Sequence, residues 1–295
     1  MKGIKERVAE RLSGFHAGTG GMNVVDLSLR LTLLDMVLRP VGDRTVRPLI
    51  LVFAALGLLI PGQLRSKFIW LPLAFLTGLR VLFDWPLPDN HAYLLFYWCL
   101  AVAIALFSRD SDRCLAFNGK FMIGLAFAFA VIWKGVLSGD FMDGRFFSIA
   151  MLTDPRFEAF TMSVSGLGEY ELENMRLFVE QHIDGELPAR GLDVPSLPSK
   201  LHLVSEILTY WTVLIESAVA ILFLIPSKAA VSRLRDGFLI LFCVTTYSVA
   251  TVEGFGWLLI AMGVSQSGER REAVRYLYVA AFFLILVYSY LPMVR

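Results

Sequence analysis

The chain has 295 residues, of which 56% are hydrophobic and 18% are charged, and its mean hydropathy is +0.63. A soluble domain of this length needs a more polar surface, so this composition excludes an ordinary soluble protein. The net charge of +1 is too small for a nucleic-acid-binding surface or a basic tail. Because backbone polar groups in lipid must pair within their own segment, the long apolar runs predict an all-α, polytopic membrane helix bundle.

The chain begins with a basic, Gly-rich segment, residues 1–22, followed by the apolar stretch 24–38. Asp26, Arg30 and Asp35 interrupt that stretch, and the first two are spaced to pair on one helix face. The pattern is typical either of an interfacial amphipathic helix or of a first span that faces the bundle. We predict a span, because eight spans keep the basic N-terminus in the cytoplasm, whereas seven do not.

Further apolar runs are read as spans in chain order. They cover residues 48–61, 67–84, 91–107, 119–138, 203–226, 236–264 and 274–292. The predicted organisation has four parts, namely a basic N-terminal segment (1–22), membrane helices 1–5 (23–138), an extramembrane loop with a short helix (139–202) and membrane helices 6–8 (203–295).

Lysines and arginines in short connections predict the orientation, since cytoplasmic loops carry the excess of both. The basic connections on one side of alternating helices contain Arg65 and Lys67, then Arg109, Arg113 and Lys120, then Lys228, Arg233 and Arg235. We place that side in the cytoplasm, which leaves residues 84–90 and 139–202 on the non-cytoplasmic side. Arg270, Arg271 and Arg275 are an exception, because the alternation places them outside.

Residues 139–202 form the one long connection, and a structureless loop of that length is unusual. Part of it is therefore predicted to fold. The stretch 170–183 has apolar residues on one helical face and acidic residues in its first turn, which favours a helix. Residues 191–200 are typical of an extended linker.

Lys134 follows Trp133 near the end of an apolar span, where a charged side chain needs a physical reason. One reason is snorkelling, in which the stem lies along the helix and the amine reaches water. The other is a desolvated amine that serves as a base, and we predict that it points into the bundle, within hydrogen-bond reach of His91 or a residue of 245–253. His91 opens a span from the same side and is either an acid–base candidate or a surface residue, and Asn90 is placed to cap that helix.

Carboxylates and small polar residues mark the later spans. Glu206 and Glu216 lie on the span after the long connection, and Glu216 is the deeper of the two, so we expect it to be protonated or paired. The stretch 245–259, TTYSVATVEGFGWLL, is predicted to bend or break where it lines a cavity, or to pack closely through its small residues. The cysteine spacings predict no disulfide framework, and the histidines form no metal-like cluster. These spacings identify no cofactor, and a quinol is the candidate.

Five stretches share short motifs with a known family. DNHAYLLFYWCLAVAIALFS carries an Asn-His-x-Tyr element, and FAFAVIWKGVLSGDFMDG carries a lysine followed by an aromatic residue and a glycine, here Lys134, Phe141 and Gly144. LRLTLLDMVL, LIESAVAILFLIP and TVEGFGWLLIAMG add an Arg-bearing first span, an acidic span with Glu216 and a Gly-Phe-aromatic span. Together they resemble the horizontally transferred transmembrane (HTTM) family, in particular the membrane region of vitamin K-dependent gamma-carboxylase.

The resemblance implies a carboxylase- or epoxidase-like lyase in which Lys134 is the base that deprotonates a quinol and His91 is its polar neighbour. It assigns substrate binding to Asn90, Tyr93, Trp133, Glu216, Tyr247 and Glu253. Three features depart from the family. Lys134 is a little farther from Phe141, the late-span histidine has no counterpart, and the carboxylase's large lumenal domain is absent from this chain. Near the missing histidine the candidates are Cys243, Thr246 and Tyr247.

Three functional hypotheses result. The first is an enzyme that acts on a lipid-soluble quinol or a small external substrate. Its cavity is expected on the external side, between the spans that hold His91, Lys134, Glu216 and Glu253. The second is a non-catalytic membrane subunit that anchors or scaffolds a protein partner through the 139–202 loop. The third is a transporter that uses the same cavity, although no inverted repeat is visible in the sequence.

Overall fold

The computed structural model describes residues 23–39, 41–86, 89–183, 199–250, 252–268 and 272–289. Within these ranges all regular secondary structure is helical, which confirms the predicted all-α class. The helices are α1 (Val24–Leu38), α2 (Arg47–Leu59), α3 (Lys67–Phe83), α4 (Asn90–Ala105), α5 (Ser111–Ile132), α6 (Gly139–Met142), α7 (Arg145–Thr153), α8 (Glu158–Ser165), α9 (Glu169–Ile183), α10 (Ser199–Leu224), α11 (Arg235–Tyr247), α12 (Glu253–Gln266) and α13 (Glu272–Ser289). The basic segment 1–22 and most of the predicted linker 191–200 lie outside the described residues.

Two helical segments are both long enough and apolar enough to cross a bilayer. Ser111–Leu137 has 27 residues and Lys200–Leu224 has 25. The shorter apolar helices at Arg47–Leu59, Asn90–Ala105 and Gly254–Gln266 have 10–17 residues. At about 1.5 Å per residue such helices fall short of a hydrocarbon core of about 30 Å. In the described part of the chain, length and composition thus identify two candidate spans, fewer than the predicted eight.

The predicted single span 236–264 is wrong, because the chain breaks after Tyr247 and restarts as α12 at Glu253. Just before the break, the hydroxyls of Thr245 and Ser248 donate to backbone carbonyls one turn earlier. Such local bonds compete with the continuation of a helix. The prediction that 245–259 bends or breaks is confirmed.

Helices α11 and α12 form an antiparallel hairpin. At one end the Gln266 amide donates to the Asp236 carboxylate over 2.5 Å, and at the other the Tyr247 hydroxyl donates to the Val252 carbonyl. The Tyr278 hydroxyl also reaches Asp236, at 3.0 Å, which brings the start of α13 to the same end as the start of α11. Arg275 therefore lies at the same end of the bundle as Arg235, and not at the opposite end as the alternation of spans predicts.

Helix α12 is the centre of the bundle, and its residues from Gly256 to Ser267 are all buried. Ser28 of α1 donates to the Ala261 carbonyl at 2.7 Å, and the Trp257 indole donates to the Phe282 carbonyl of α13 at 3.1 Å. Helix α5 approaches at Gly119, where a Cβ would lie 2.2 Å from the Ser265 hydroxyl oxygen. A helix covered on all sides must be apolar or small on every face, as this sequence is.

Helix α1 lies inside the bundle, with Leu29, Leu33 and Met36 fully buried. Its predicted Asp26–Arg30 pair is wrong. Asp26 pairs instead with Arg65, at 2.5 Å, and Arg65 also reaches Asp112 at the start of α5. Arg30 is exposed.

The two ends of the bundle differ in charge. We call the end that contains Arg65, Lys120, Arg235 and Arg275 the basic end, because contacts among α1, α5, α10, α11 and α12 place these residues together. The opposite end contains Arg39 against Gly254, and it also carries helices α6–α9.

Helices α6–α9 show that the long connection folds, as predicted, and α9 confirms the helix expected over 170–183. A separate apolar cluster that includes Phe141, Met151, Leu172 and Leu201 joins them to the first half of α10. Hydrogen bonds from Arg156 to Asp154, and the more distant charge of Asp89, raise the pKa of Arg156. Asp89, which precedes α4, and Arg156, which precedes α8, therefore lie at the same end of the bundle.

The close contact between Gly256 and Tyr247 in the hairpin predicts the effect of adding a side chain at this glycine. In Gly256→Ala the new Cβ would lie 2.2 Å from the Tyr247 hydroxyl oxygen, so we expect a loss of about 1–3 kcal/mol from overpacking. Gly237→Ala, in the same hairpin, meets no atom within 4 Å and should be neutral or slightly stabilising. Thermal unfolding of the purified variants measures both changes, and equal stabilities would contradict the hairpin packing.

Candidate functional site

Lys134 lies in a π-helical turn, Trp133–Leu137, that ends α5. Such turns insert a residue into a helix and occur often at functional sites. Trp133, Val136 and Leu137 are exposed, whereas the Lys134 side chain is 18% exposed. The prediction that Lys134 points into the bundle is therefore confirmed, and a fully snorkelling amine is excluded.

The amine of Lys134 donates to Oε1 of Glu216 from α10, whose side chain is 7% exposed. The Phe141 ring centroid lies 5.3 Å from the amine, within the range of a cation–π contact. Glu216 is thus paired, as predicted. The expected partners of Lys134 were His91 or a residue of 245–253, whereas the side chain that binds it among the described residues is Glu216.

The other carboxylate oxygen of Glu216, Oε2, is buried and meets no hydrogen-bond donor among the described residues. A buried acceptor left unsatisfied costs about 1–3 kcal/mol, and more when it is charged. A protonated carboxyl is itself a donor and leaves less charge unsatisfied than a carboxylate. The arrangement therefore allows the shared proton to lie on either Lys134 or Glu216.

Gly144 gives the lysine segment its shape. Its φ of 80° lies in the left-handed region at the start of α7, and a Cβ there would stand 3.5 Å from the Ser205 hydroxyl oxygen of α10. Glycine adopts that backbone without strain. The motif glycine thus helps hold the Phe141 segment against the helix that carries Glu216.

His91 belongs to a different group of charges. Its Nε2 atom lies 3.6 Å from the Asp89 carboxylate, and the charges of Arg39, Arg80 and Arg156 act on it. Among the described contacts, none joins His91 to Lys134. The two predicted catalytic residues thus lie at the same end of the bundle without touching.

Two predicted binding residues share the helix of His91. Asn90 is not the cap, because Asp89 occupies that position and Asn90 is the first, exposed residue of α4. Tyr93 is half-buried. Their placement on α4 puts them beside the His91 group rather than beside Glu216.

Tyr247 has a structural role at the hairpin turn. It is buried, donates to the Val252 carbonyl and packs on Gly256. Glu253 is the first residue of α12, and its side chain lies outside the described atoms. Glu206 is half-exposed and stands 3.6 Å from His202, one turn away.

Sequence reasoning missed a buried ion pair between Asp35 and Arg39 in the last turn of α1. Arg39 lies across Gly254, where a Cβ would be 2.3 Å from the guanidinium carbon. The i,i+4 spacing of an acid and an arginine at the end of the first span is a signal that could have indicated this pair.

Within the described residues, no group of three or more His, Cys, Asp or Glu side chains is placed to hold a metal ion. Cys99, Cys114 and Cys243 are all unpaired. Comparison of the chain with family models, curated proteins and solved structures finds no match.

The Lys134–Glu216 ion pair predicts that the effects of Lys134→Met and Glu216→Gln on the free energy of unfolding are strongly coupled. Each single change leaves one largely buried partner without its counter-charge, which costs up to about 3–5 kcal/mol for a fully buried pair. The double variant should therefore be more stable than the sum of the single changes predicts. We expect a coupling of about 2 kcal/mol from unfolding of the four proteins.

The exposed pair Arg145–Asp143, with side chains 64% and 44% exposed, is the control. Its coupling should be much smaller than that of the Lys134–Glu216 pair, because water and salt screen the charges of exposed side chains. Equal coupling energies in the two pairs would mean that the Lys134 amine is solvated.

Proposed function

We propose that the chain is a multi-pass integral membrane protein whose 139–202 connection lies on the non-cytoplasmic side. Large apolar side chains on the outer helices support this, among them Leu59, Phe68 and Phe75, which are 64–84% exposed. Charged and polar groups such as Asp35 and Asp236 are buried instead. An apolar outside around a polar interior suits lipid as the solvent.

The charge distribution supports the orientation. The positive-inside pattern had one exception, because a single span over 236–264 placed Arg275 on the non-cytoplasmic side. Since α11 and α12 turn back as a hairpin, Arg275 lies at the basic end with the other cations, and the exception disappears. Helices α6–α9 then belong to the other side. The hairpin runs from the basic end to the end that contains Arg39, and its turn lies against protein, as the breaks of discontinuous membrane helices do.

The topology predicts which positions react with a membrane-impermeant thiol reagent. In a Cys114→Ser background, cysteine at Asp89 or at the exposed Ser163 should be labelled in intact cells. Cysteine at the exposed Ser227, at the basic end, should react only after the cells are permeabilised. Labelling of Ser227 in intact cells, together with protection of the other two positions, would invert the orientation.

We infer that the protein is an HTTM-like enzyme that removes a proton from a lipid-soluble quinol, and the Lys134–Glu216 pair is the observation that carries this proposal. An ammonium has no lone pair. When the shared proton lies on Glu216, the Lys134 amine is neutral and accepts a proton from a substrate hydroxyl. The substrate O–H bond breaks, an N–H bond forms, and the negative charge left on the substrate oxygen faces the new ammonium.

The access to the amine supports a substrate that arrives through lipid. Trp133, Val136 and Leu137 of the same turn are apolar and exposed, and Lys134 is the more exposed member of the pair. Trp133 is then the first contact of an aromatic substrate. His91, with Asn90 and Tyr93, forms a second polar group at that end for the other end of the ligand, while Tyr247 shapes the turn of the α11–α12 hairpin.

A non-catalytic membrane subunit is the second candidate, favoured by one observation. An open cavity of about 350 Å³ lies between helices α8 and α9. Glu158, Glu169, Tyr170, Leu172, Glu173 and Arg176 line it. A protein partner that presents a basic side chain would fit such an acidic surface.

Bound lipid distinguishes the two candidates. Mass spectrometry of lipids extracted from the purified protein should find a quinone in the wild type and about tenfold less in Lys134→Met, since one charge-assisted hydrogen bond is lost. Lys67→Met is the control, because its amine also lies over an aromatic ring, that of Phe107, at the basic end. A wild-type protein without quinone, and a Lys134→Met protein with unchanged lipids, would favour the subunit.

A further inference from the structure

The basic end holds a second polar cluster, separate from the proposed proton-transfer site. Lys120 of α5 is half-buried, and its amine donates to the Ile225 carbonyl at 2.7 Å and to the Ser227 hydroxyl oxygen at 3.2 Å. Arg235 donates to the same hydroxyl oxygen at 3.3 Å. Two cations thus converge on one neutral oxygen just after α10.

No carboxylate in the described part of the chain forms an ion pair with Lys120. Both acceptors that its amine meets are neutral, and the charge of Arg235 acts on it with the same sign. Asp112, on the same helix, binds Arg65 instead. The positive charge of Lys120 is therefore left without a counter-charge among these residues.

Hydrogen-bonding capacity is also left over. An ammonium has three donors, and the third donor of Lys120 meets no acceptor in the described part of the chain. The Ser227 hydroxyl accepts from both cations, so its own hydrogen is directed away from them and is available to a ligand. Ser227 is exposed, as are Lys228 and Arg233 in the same connection.

A purely structural role explains only part of this arrangement. A lysine at a helix C-terminus binds its last carbonyls and stabilises the helix dipole, which accounts for the Lys120–Ile225 bond. It does not account for Arg235 on the same hydroxyl or for the exposed cations beside it. Oxygens of an anion would use both remaining donors and balance the charge of Lys120.

We propose that Lys120, Ser227 and Arg235 form a binding site for a phosphate group that carries net negative charge. The connection directly follows a candidate membrane span, and phospholipid headgroups lie where the hydrocarbon core ends. An anionic phospholipid and a free phosphate ion share this chemistry. This site does not depend on the proposed enzyme activity.

The test uses the full chain in mild detergent and native mass spectrometry. Wild type should bind phosphatidylglycerol more tightly than phosphatidylcholine, and Lys120→Met should lose about tenfold in phosphatidylglycerol affinity, the value of one charge-assisted hydrogen bond. Lys67→Met removes the same charge at the same end and should stay within about twofold of wild type, because screened surface charges contribute little. If Lys120→Met does not fold, Lys120→Arg and Ser227→Ala replace it in the test, because both keep the positive charge at position 120.

The outcomes identify the source of the phosphate. If wild type prefers phosphatidylglycerol and only the Lys120 and Ser227 variants lose that preference, the ligand is a lipid headgroup. If inorganic phosphate raises the thermal stability of wild type and not of these variants, the ligand is a free phosphate ion. Equal lipid affinities and equal phosphate responses in wild type, Lys120→Met and Ser227→Ala would overturn the site and leave Lys120 as a helix cap.

Discussion

The burial of α12 on every side is the constraint on which the rest of the bundle depends. A helix with no solvent-facing or lipid-facing side has to be apolar or small all round, and its neighbours approach closely enough to touch its backbone. Gly254 and Gly256 accept Arg39 and Tyr247, and Gly263 accepts Tyr278, at distances that leave no room for a Cβ. The break after Tyr247 is part of the same constraint, because the chain must turn back for α12 to fill the centre.

This packing displaces charge to the two ends. The centre offers few hydrogen-bond partners, so charged groups are tolerated only where a second charge or a helix end meets them. At the opposite end these are the Asp35–Arg39 and Lys134–Glu216 pairs, and at the basic end Asp236 is bound by Gln266 and Tyr278. The Lys134–Glu216 pair connects two helices far apart in sequence, which makes it a structural link as well as a chemical group.

The Lys134–Glu216 pair changes how a lysine base would work in this protein. An isolated buried lysine loses its proton because desolvation disfavours the charge. A lysine beside a carboxyl keeps a proton within the pair, and the pair is neutral overall whichever partner holds it. Under the proposed function, such a site would exchange a proton with a substrate without leaving an unbalanced charge in the bundle. The Oε2 atom of Glu216, which meets no donor among the described residues, is the cost of this arrangement.

The sequence by itself determined the all-helical class, the positions of most helices, the break within 245–259 and the inward direction of Lys134. These depend on local periodicity, on helix-breaking side chains and on the cost of charge among apolar residues, all of which act over a few neighbouring residues. Only the tertiary structure decided that Asp26 pairs with Arg65, that Glu216 holds Lys134 while His91 does not, and that α11 and α12 turn back as a hairpin. Those outcomes depend on which helix faces meet, and periodicity along one helix does not specify the helix that lies opposite.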